Sequence, residues 1–128
     1  MRIFLAASAL AWGGYGLYCL INPAILAELA GVTAVSATAT TELRAMYGGV
    51  QTAFGVFAAL ALFNAGLQRP ALLALAFGTG GLFTARLIGA LLVGDFSSYT
   101  VGALVFESVY TAIAVVLLRR GLRPMSGM

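Results

Sequence analysis

The sequence predicts an all-α fold: a bundle of four transmembrane helices, with a short amphipathic helix in the first loop. Three observations predict it. Hydrophobic residues make up 62% of the 128 residues and charged residues only 9%, where soluble domains carry about a quarter charged. Mean hydropathy is +1.02, more apolar surface than a soluble domain of this length can hide. The apolar residues fall into four stretches, each near the ~20 residues that cross a bilayer as a helix.

The first stretch covers residues 3–21. "MRIFLAASALA" opens like a secretory leader, with a basic start and Ala9-Leu10-Ala11 where a cleavage site would fall. The apolar run continues to Ile21, so it reads as a spanning helix, stopped by Asn22-Pro23. "PAILAELAG" reads as the short amphipathic helix, with Pro23 at its start and Gly31 at its end. It is expected on the membrane surface or against the bundle mouth.

"SATATT" is small and polar and reads as a turn-rich lead into the second helix, residues 43–66. Thr40 or Thr41 can cap that helix, and Glu42 then lies in its first turn, where the helix dipole favours an acid. Residues 64–69 read as a tight connection. Pro70, suited to a first helical turn, opens the third helix, 70–93. A shorter connection holds Asp95. The fourth helix, 98–118, is closed by Arg119, Arg120 and Gly121. Residues 1–128 together read as a single integral membrane domain.

Charge and residue inventory exclude several functions. The net charge is +3, but the basic residues are scattered at segment ends and inside segments. No basic stripe for a nucleic acid can be drawn from them. Arg2, Arg69, Arg119, Arg120 and Arg123 fall on one side of the predicted topology. Arg44, Glu28, Glu42 and Asp95 fall on the other, so the positive-inside rule places both termini in the cytoplasm. There is no histidine, which removes the commonest general base and most zinc and haem ligation. Cys19 is the only cysteine, reads as packing, and permits neither an internal disulfide nor a cysteine metal cage. No cofactor and no metal is expected, and the inventory argues against an enzyme.

Two small-residue patterns predict close helix contacts. Ala45, Gly49 and Ala53 recur every four residues in the second helix, and Gly81, Ala85 and Gly89 in the third. An intramolecular contact is the plainer reading, and a homodimer face the other.

The charged residues inside the spans carry the functional signal. Arg86 lies roughly 10 Å inside the outer end of the third helix, and Glu107 roughly 13 Å inside that of the fourth. Gln51 in the second helix and Tyr15 in the first fall at similar depth. Helical spacing aligns Arg44, Tyr47, Gly48, Gln51 and Gly55 on one face. It likewise aligns Thr79, Phe83 and Arg86; Thr100, Glu107, Tyr110 and Thr111; and Ser8, Trp12, Tyr15 and Cys19. A lone arginine in hydrocarbon costs at least about 3 kcal/mol, so Arg86 and Glu107 are expected to pair. Glu42 and Arg44 could form a second, shallower layer. The candidate site is therefore Arg86, Glu107, Gln51, Arg44, Glu42, Tyr47, Tyr15 and Tyr110. Three readings of it stay open: a structural ion pair fixing helix register, a ligand site, and a proton relay through Glu107. Trp12, Tyr18 and Tyr99 read as interfacial anchors or core.

At "ELRAMYGGVQTAFGVF" (42–57) the sequence resembles a family of small bacterial membrane proteins known only as a domain of unknown function. Its members look like four-helix proteins with an acid-x-Arg-Ala-x-Tyr-Gly-Gly opening to the second helix, an Arg in the third and a Glu in the fourth. Here these positions are Glu42, Arg44, Ala45, Tyr47, Gly48, Gly49, Arg86 and Glu107. The resemblance implies four helices and a bacterial inner-membrane setting, and it implies no activity.

The leading functional reading is a non-enzymatic accessory or binding protein. Its partners would be membrane lipid and either a membrane protein or a small amphiphile, lipid- or quinone-like; a homo-oligomer is the further option. The alternative is a small transporter or oligomeric channel using the same charges. No internal repeat of the kind found in inverted-repeat transporters is visible.

Overall fold

The structure, a computed structural model, describes residues 1–121; Arg123, counted above among the tail arginines, lies outside them. It is all-helical among these residues, with four helices long and apolar enough to cross a membrane. In chain order the helices are α1 (Arg2–Ile21), α2 (Ile25–Ala30), α3 (Ala37–Phe63), α4 (Ala65–Val93) and α5 (Ser98–Arg120). They divide into two compact units, Met1–Gln68 and a second that begins at Arg69.

In the first unit α1 and α3 pack as an antiparallel pair with glycine at three close approaches. A Cβ added to Gly55 would overlap the backbone of Gly13. One added to Gly16 would lie 2.7 Å from Thr52 Oγ1, and one added to Gly48 would lie 2.7 Å from Leu20 Cα. As the α1 numbers rise through 13, 16 and 20, their partners fall through 55, 52 and 48, so the helices run in opposite directions. Three contacts at this separation leave no room for a methyl, and the missing side chains let backbones meet in lipid. The Trp12 indole, buried rather than interfacial, packs edge-on to Phe54, with ring centroids 5.9 Å apart. Cys19 is fully buried.

Three boundaries differ from the sequence reading. The second spanning helix starts at Ala37, not at residue 43. Its cap is Ser36, whose hydroxyl accepts the Ala39 N–H at 3.0 Å. Thr40 and Thr41 are inside the helix, their hydroxyls donating one turn back to the carbonyls of Ser36 and Ala37, and Glu42 is beyond the first turn. The helix ends at Phe63, and the tight connection shrinks to Asn64, in extended backbone. Asn64 Oδ1 accepts the Gly66 N–H at 3.0 Å and so starts α4 five residues ahead of Pro70. Pro70 is thus an interior, exposed helical residue, which leaves the Gly66 carbonyl without its usual donor.

A second departure lies within α3. Arg44–Gly49 is π-helical, and the Val50 N–H donates to the Ala45 carbonyl, five residues back. The extra residue in this turn breaks the i, i+7 alignment expected between Arg44 and Gln51. Arg44 is exposed, while Tyr47 and Gln51 are half-buried.

α2 forms as expected and stops at Gly31, whose φ of 68° is the left-handed conformation glycine adopts without cost. Leu26 on its inner side is fully buried, and Glu28 is exposed.

In the second unit α4 ends in a Schellman turn. Gly94 has φ 71°, and the Asp95 N–H donates to the Ala90 carbonyl at 3.0 Å. Ser97 caps α5, its Oγ accepting the Thr100 N–H at 3.4 Å. The small-residue stripe Gly81, Ala85 and Gly89 is exposed, and Cβ atoms at Gly81 and Gly89 would meet nothing within 4 Å. Ala45 and Ala53 are exposed as well. The close contacts inside the first unit therefore use other glycines than those two patterns name.

Candidate functional site

Two constellations of polar side chains stand out, one in each unit. In the second unit, Arg86 on α4 and Glu107 on α5 form the ion pair among the described residues. Arg86 Nε donates to both carboxylate oxygens at 3.1 Å, and Nη2 donates to Oε1 at 2.8 Å. This fork-on-carboxylate geometry is the strong form of the contact. The Glu107 side chain is 5% accessible and that of Arg86 27%, so the acid is enclosed and the arginine is only part-buried. The Tyr99 ring covers the guanidinium, its centroid 5.9 Å from Cζ, at the outer limit of a cation–π contact.

About two turns from Arg86 along α4 and one turn from Glu107 along α5, the Thr79 and Thr111 hydroxyls meet at 2.7 Å. Thr79 also donates to the Leu75 carbonyl at 2.8 Å, which makes Thr111 the donor between them. Tyr110 is buried, its ring centroid 5.6 Å from that of Phe106. These contacts place Thr79 and Arg86 on the face of α4 that meets Glu107 and Thr111 on α5.

At the α4–α5 connection, Thr100 Oγ1 donates to Asp95 Oδ2 at 2.6 Å, and the Ser97 N–H donates to Oδ1 at 3.0 Å. The Thr100 hydroxyl first, then the Ser97 donors, hold the Asp95 carboxyl below its ordinary pKa. This small network fixes the loop beside Tyr99.

In the first unit, Arg44 stands at the start of the π-helical segment. Its Nε donates to the Leu20 carbonyl in the last turn of α1, at 3.3 Å. Glu42, exposed two residues earlier, is not its ion-pair partner. Arg44 lines a cavity of about 460 Å3 together with Asn22, Pro23, Ala27, Thr33 and Leu43. Tyr15, like Tyr47 and Gln51, is half-buried.

Of the residues singled out in the sequence, the structure thus joins Arg86 with Glu107 directly. Sequence reasoning missed Tyr99 as a neighbour of Arg86. The signal was there: a long arginine side chain reaches toward the nearer helix end, and Tyr99 sits in the first turn of the next helix. It also missed Asn22 and Thr33, because no periodic pattern marks loop residues that line a cavity.

No curated protein and no solved structure matches the chain. One protein-family profile does, over residues 1–118, nearly the whole chain. By that match the chain belongs to the family described as Domain of unknown function (DUF4345).

Proposed function

We propose that this protein is a non-enzymatic binding protein of the bacterial inner membrane, with both termini cytoplasmic, holding a small lipid- or quinone-like amphiphile against the Arg86–Glu107 pair. The observation that carries this reading is the pair itself: neutral in sum, with an enclosed acid and an arginine side chain that is 27% accessible. Exchanging a buried ion pair for apolar residues of equal volume is often neutral or stabilising, so stability alone is a poor reason to keep one inside a span. Neutrality selects the ligand. A free anion would have to displace Glu107, whereas a carbonyl or hydroxyl of an uncharged headgroup can accept from the guanidinium without doing so. The arginine distribution supports the orientation.

Native mass spectrometry of the gently extracted protein tests this, comparing the parent with R86Q and with R86Q/E107Q, which removes both charges. The expected result is a small molecule that co-purifies with the parent and is lost from both variants while they stay folded. A parent that carries nothing specific, or an adduct unchanged in R86Q/E107Q, overturns the reading. A co-purifying polypeptide lost in the same variants would replace the amphiphile by a protein partner and make the chain an accessory subunit.

A further inference from the structure

The cavity beneath the first loop is built differently from the Arg86 site and stands independently of it. Its walls come from the end of α1, the turn into α2, α2 itself, the loop after Gly31 and the first turns of α3. At about 460 Å3 it falls in the range of small-molecule sites, roughly 300–1,000 Å3. Most of the lining is apolar, from Ile21, Pro23, Ala27 and Leu43 among others. Arg44 is its only charged residue. Glu28 and Glu42 are close in sequence but are not in the lining, so no carboxylate offsets the arginine inside.

Arg44 is held in place rather than swinging free. Nε is fixed on the Leu20 carbonyl, one of the acceptors a helix end leaves unpaired. Its two terminal amino groups have no partner among the described residues. Asn22 and Thr33 add two further side chains with no hydrogen bond of their own among these residues. A planar fork of donors, anchored at one end and open at the other, suits phosphate oxygens. The cavity also lies at the end of α1 and the start of α3, two helices long and apolar enough to cross a membrane, and such helix ends are where headgroups meet a spanning protein. Exposed Leu17, Tyr18, Ile21 and Met46 surround that end of the α1–α3 pair and present apolar surface on which acyl chains can lie.

We propose that this cavity is a binding site for the phosphate headgroup of an anionic membrane phospholipid, with Arg44 as its anchor and Asn22 and Thr33 as secondary polar contacts. The charge balance is opposite to that at Arg86. Here a single uncompensated cation selects an anion; there a neutral pair selects an uncharged headgroup.

The test is lipid titration of the full protein in detergent, read by native mass spectrometry. The probes are phosphatidylglycerol, phosphatidylcholine and inorganic phosphate alone, against the parent, R44Q, A27F and, as a control where an added methyl meets nothing within 4 Å, G81A. Arg44 is exposed, so R44Q is expected to fold; A27F fills the cavity and leaves the charge in place. The expected result is preferential retention of phosphatidylglycerol by the parent and by G81A. Its apparent affinity should drop about tenfold or more in R44Q, the scale of a lost charge-assisted hydrogen bond, and fall in A27F too. Equal retention of the two lipids, or phosphatidylglycerol binding that survives both R44Q and A27F, overturns the proposal. So does inorganic phosphate that binds through Arg44 with no preference between the lipids, which would make this a free-anion site. Failure of the Arg86 reading would leave these outcomes unchanged, since no variant used here touches Arg86 or Glu107.

Discussion

Arg86 and Glu107 are 21 residues apart in the chain, yet Arg86 Nε is equidistant from the two carboxylate oxygens, at 3.1 Å. That symmetry means the carboxylate is shared along the whole edge of the guanidinium. Removing Arg86 leaves an enclosed carboxylate, and removing Glu107 leaves a part-buried guanidinium without its counter-ion.

The first prediction follows from this. E107Q should destabilise the protein by about 1–3 kcal/mol, because Arg86 is left part-buried without its counter-ion. R86M/E107L, which removes both charges, should recover most of that loss. Denaturation in sodium dodecyl sulfate followed by circular dichroism measures both. A double variant no more stable than E107Q would show that the pair is not an isolated electrostatic unit.

Glycine contacts give the second. G55A places a methyl against the backbone of Gly13. Backbone cannot yield as a side chain does, so α1 and α3 must separate, at a cost of about 1–3 kcal/mol. G81A adds a methyl where nothing lies within 4 Å and should change stability by no more than about 0.5 kcal/mol. Equal effects of the two substitutions in the same unfolding assay would contradict the α1–α3 register.

Asp95 gives the third, in pH. Hydrogen bonds from Thr100 and Ser97 lower its pKa in the folded protein. Its stabilising contribution is therefore fully present above the ordinary aspartate value of about 3.9. It is lost as the pH falls from there through the lowered folded value. D95N should have a lower Tm than the parent at neutral pH, and the gap should close on acidification through that window. A gap constant down to pH 2 would mean that the carboxylate charge contributes nothing to the loop.

How much of this was legible in the sequence depends on what kind of physics set each feature. The four spans were, since crossing hydrocarbon demands length and apolarity that nothing else in a short chain imitates. The Arg86–Glu107 contact was legible too, because two opposite charges that are each too costly alone have one cheap solution. The start of α3 was not. A run such as Thr38-Ala39-Thr40-Thr41 suits a loop as well as a helix, and the helix is permitted here by hydroxyls that bond back to carbonyls one turn earlier. The glycine contacts were only half legible. Spacing by four is as regular in the exposed Gly81–Ala85–Gly89 stripe as in any packed one, and what separates them is the partner helix, which no single segment encodes. The π-helical segment left no compositional mark. It shifted the face of Arg44 away from that of Gln51, and with it the shape of the candidate site in the first unit.

The 29 residues of α4 have a consequence for how the protein meets membranes of different thickness. At 1.5 Å per residue the helix is about 43 Å long, against a hydrocarbon slab of about 30 Å. The 20 residues of α1 match that slab without surplus. α4 must therefore tilt or let its first turns emerge among the headgroups. The segment available to emerge is Ala65–Arg69, where Gln68 and Arg69 tolerate water and Pro70 follows. A thicker bilayer would draw these residues inward until the arginine resists, so α4 carries a built-in limit on hydrophobic mismatch at its amino end.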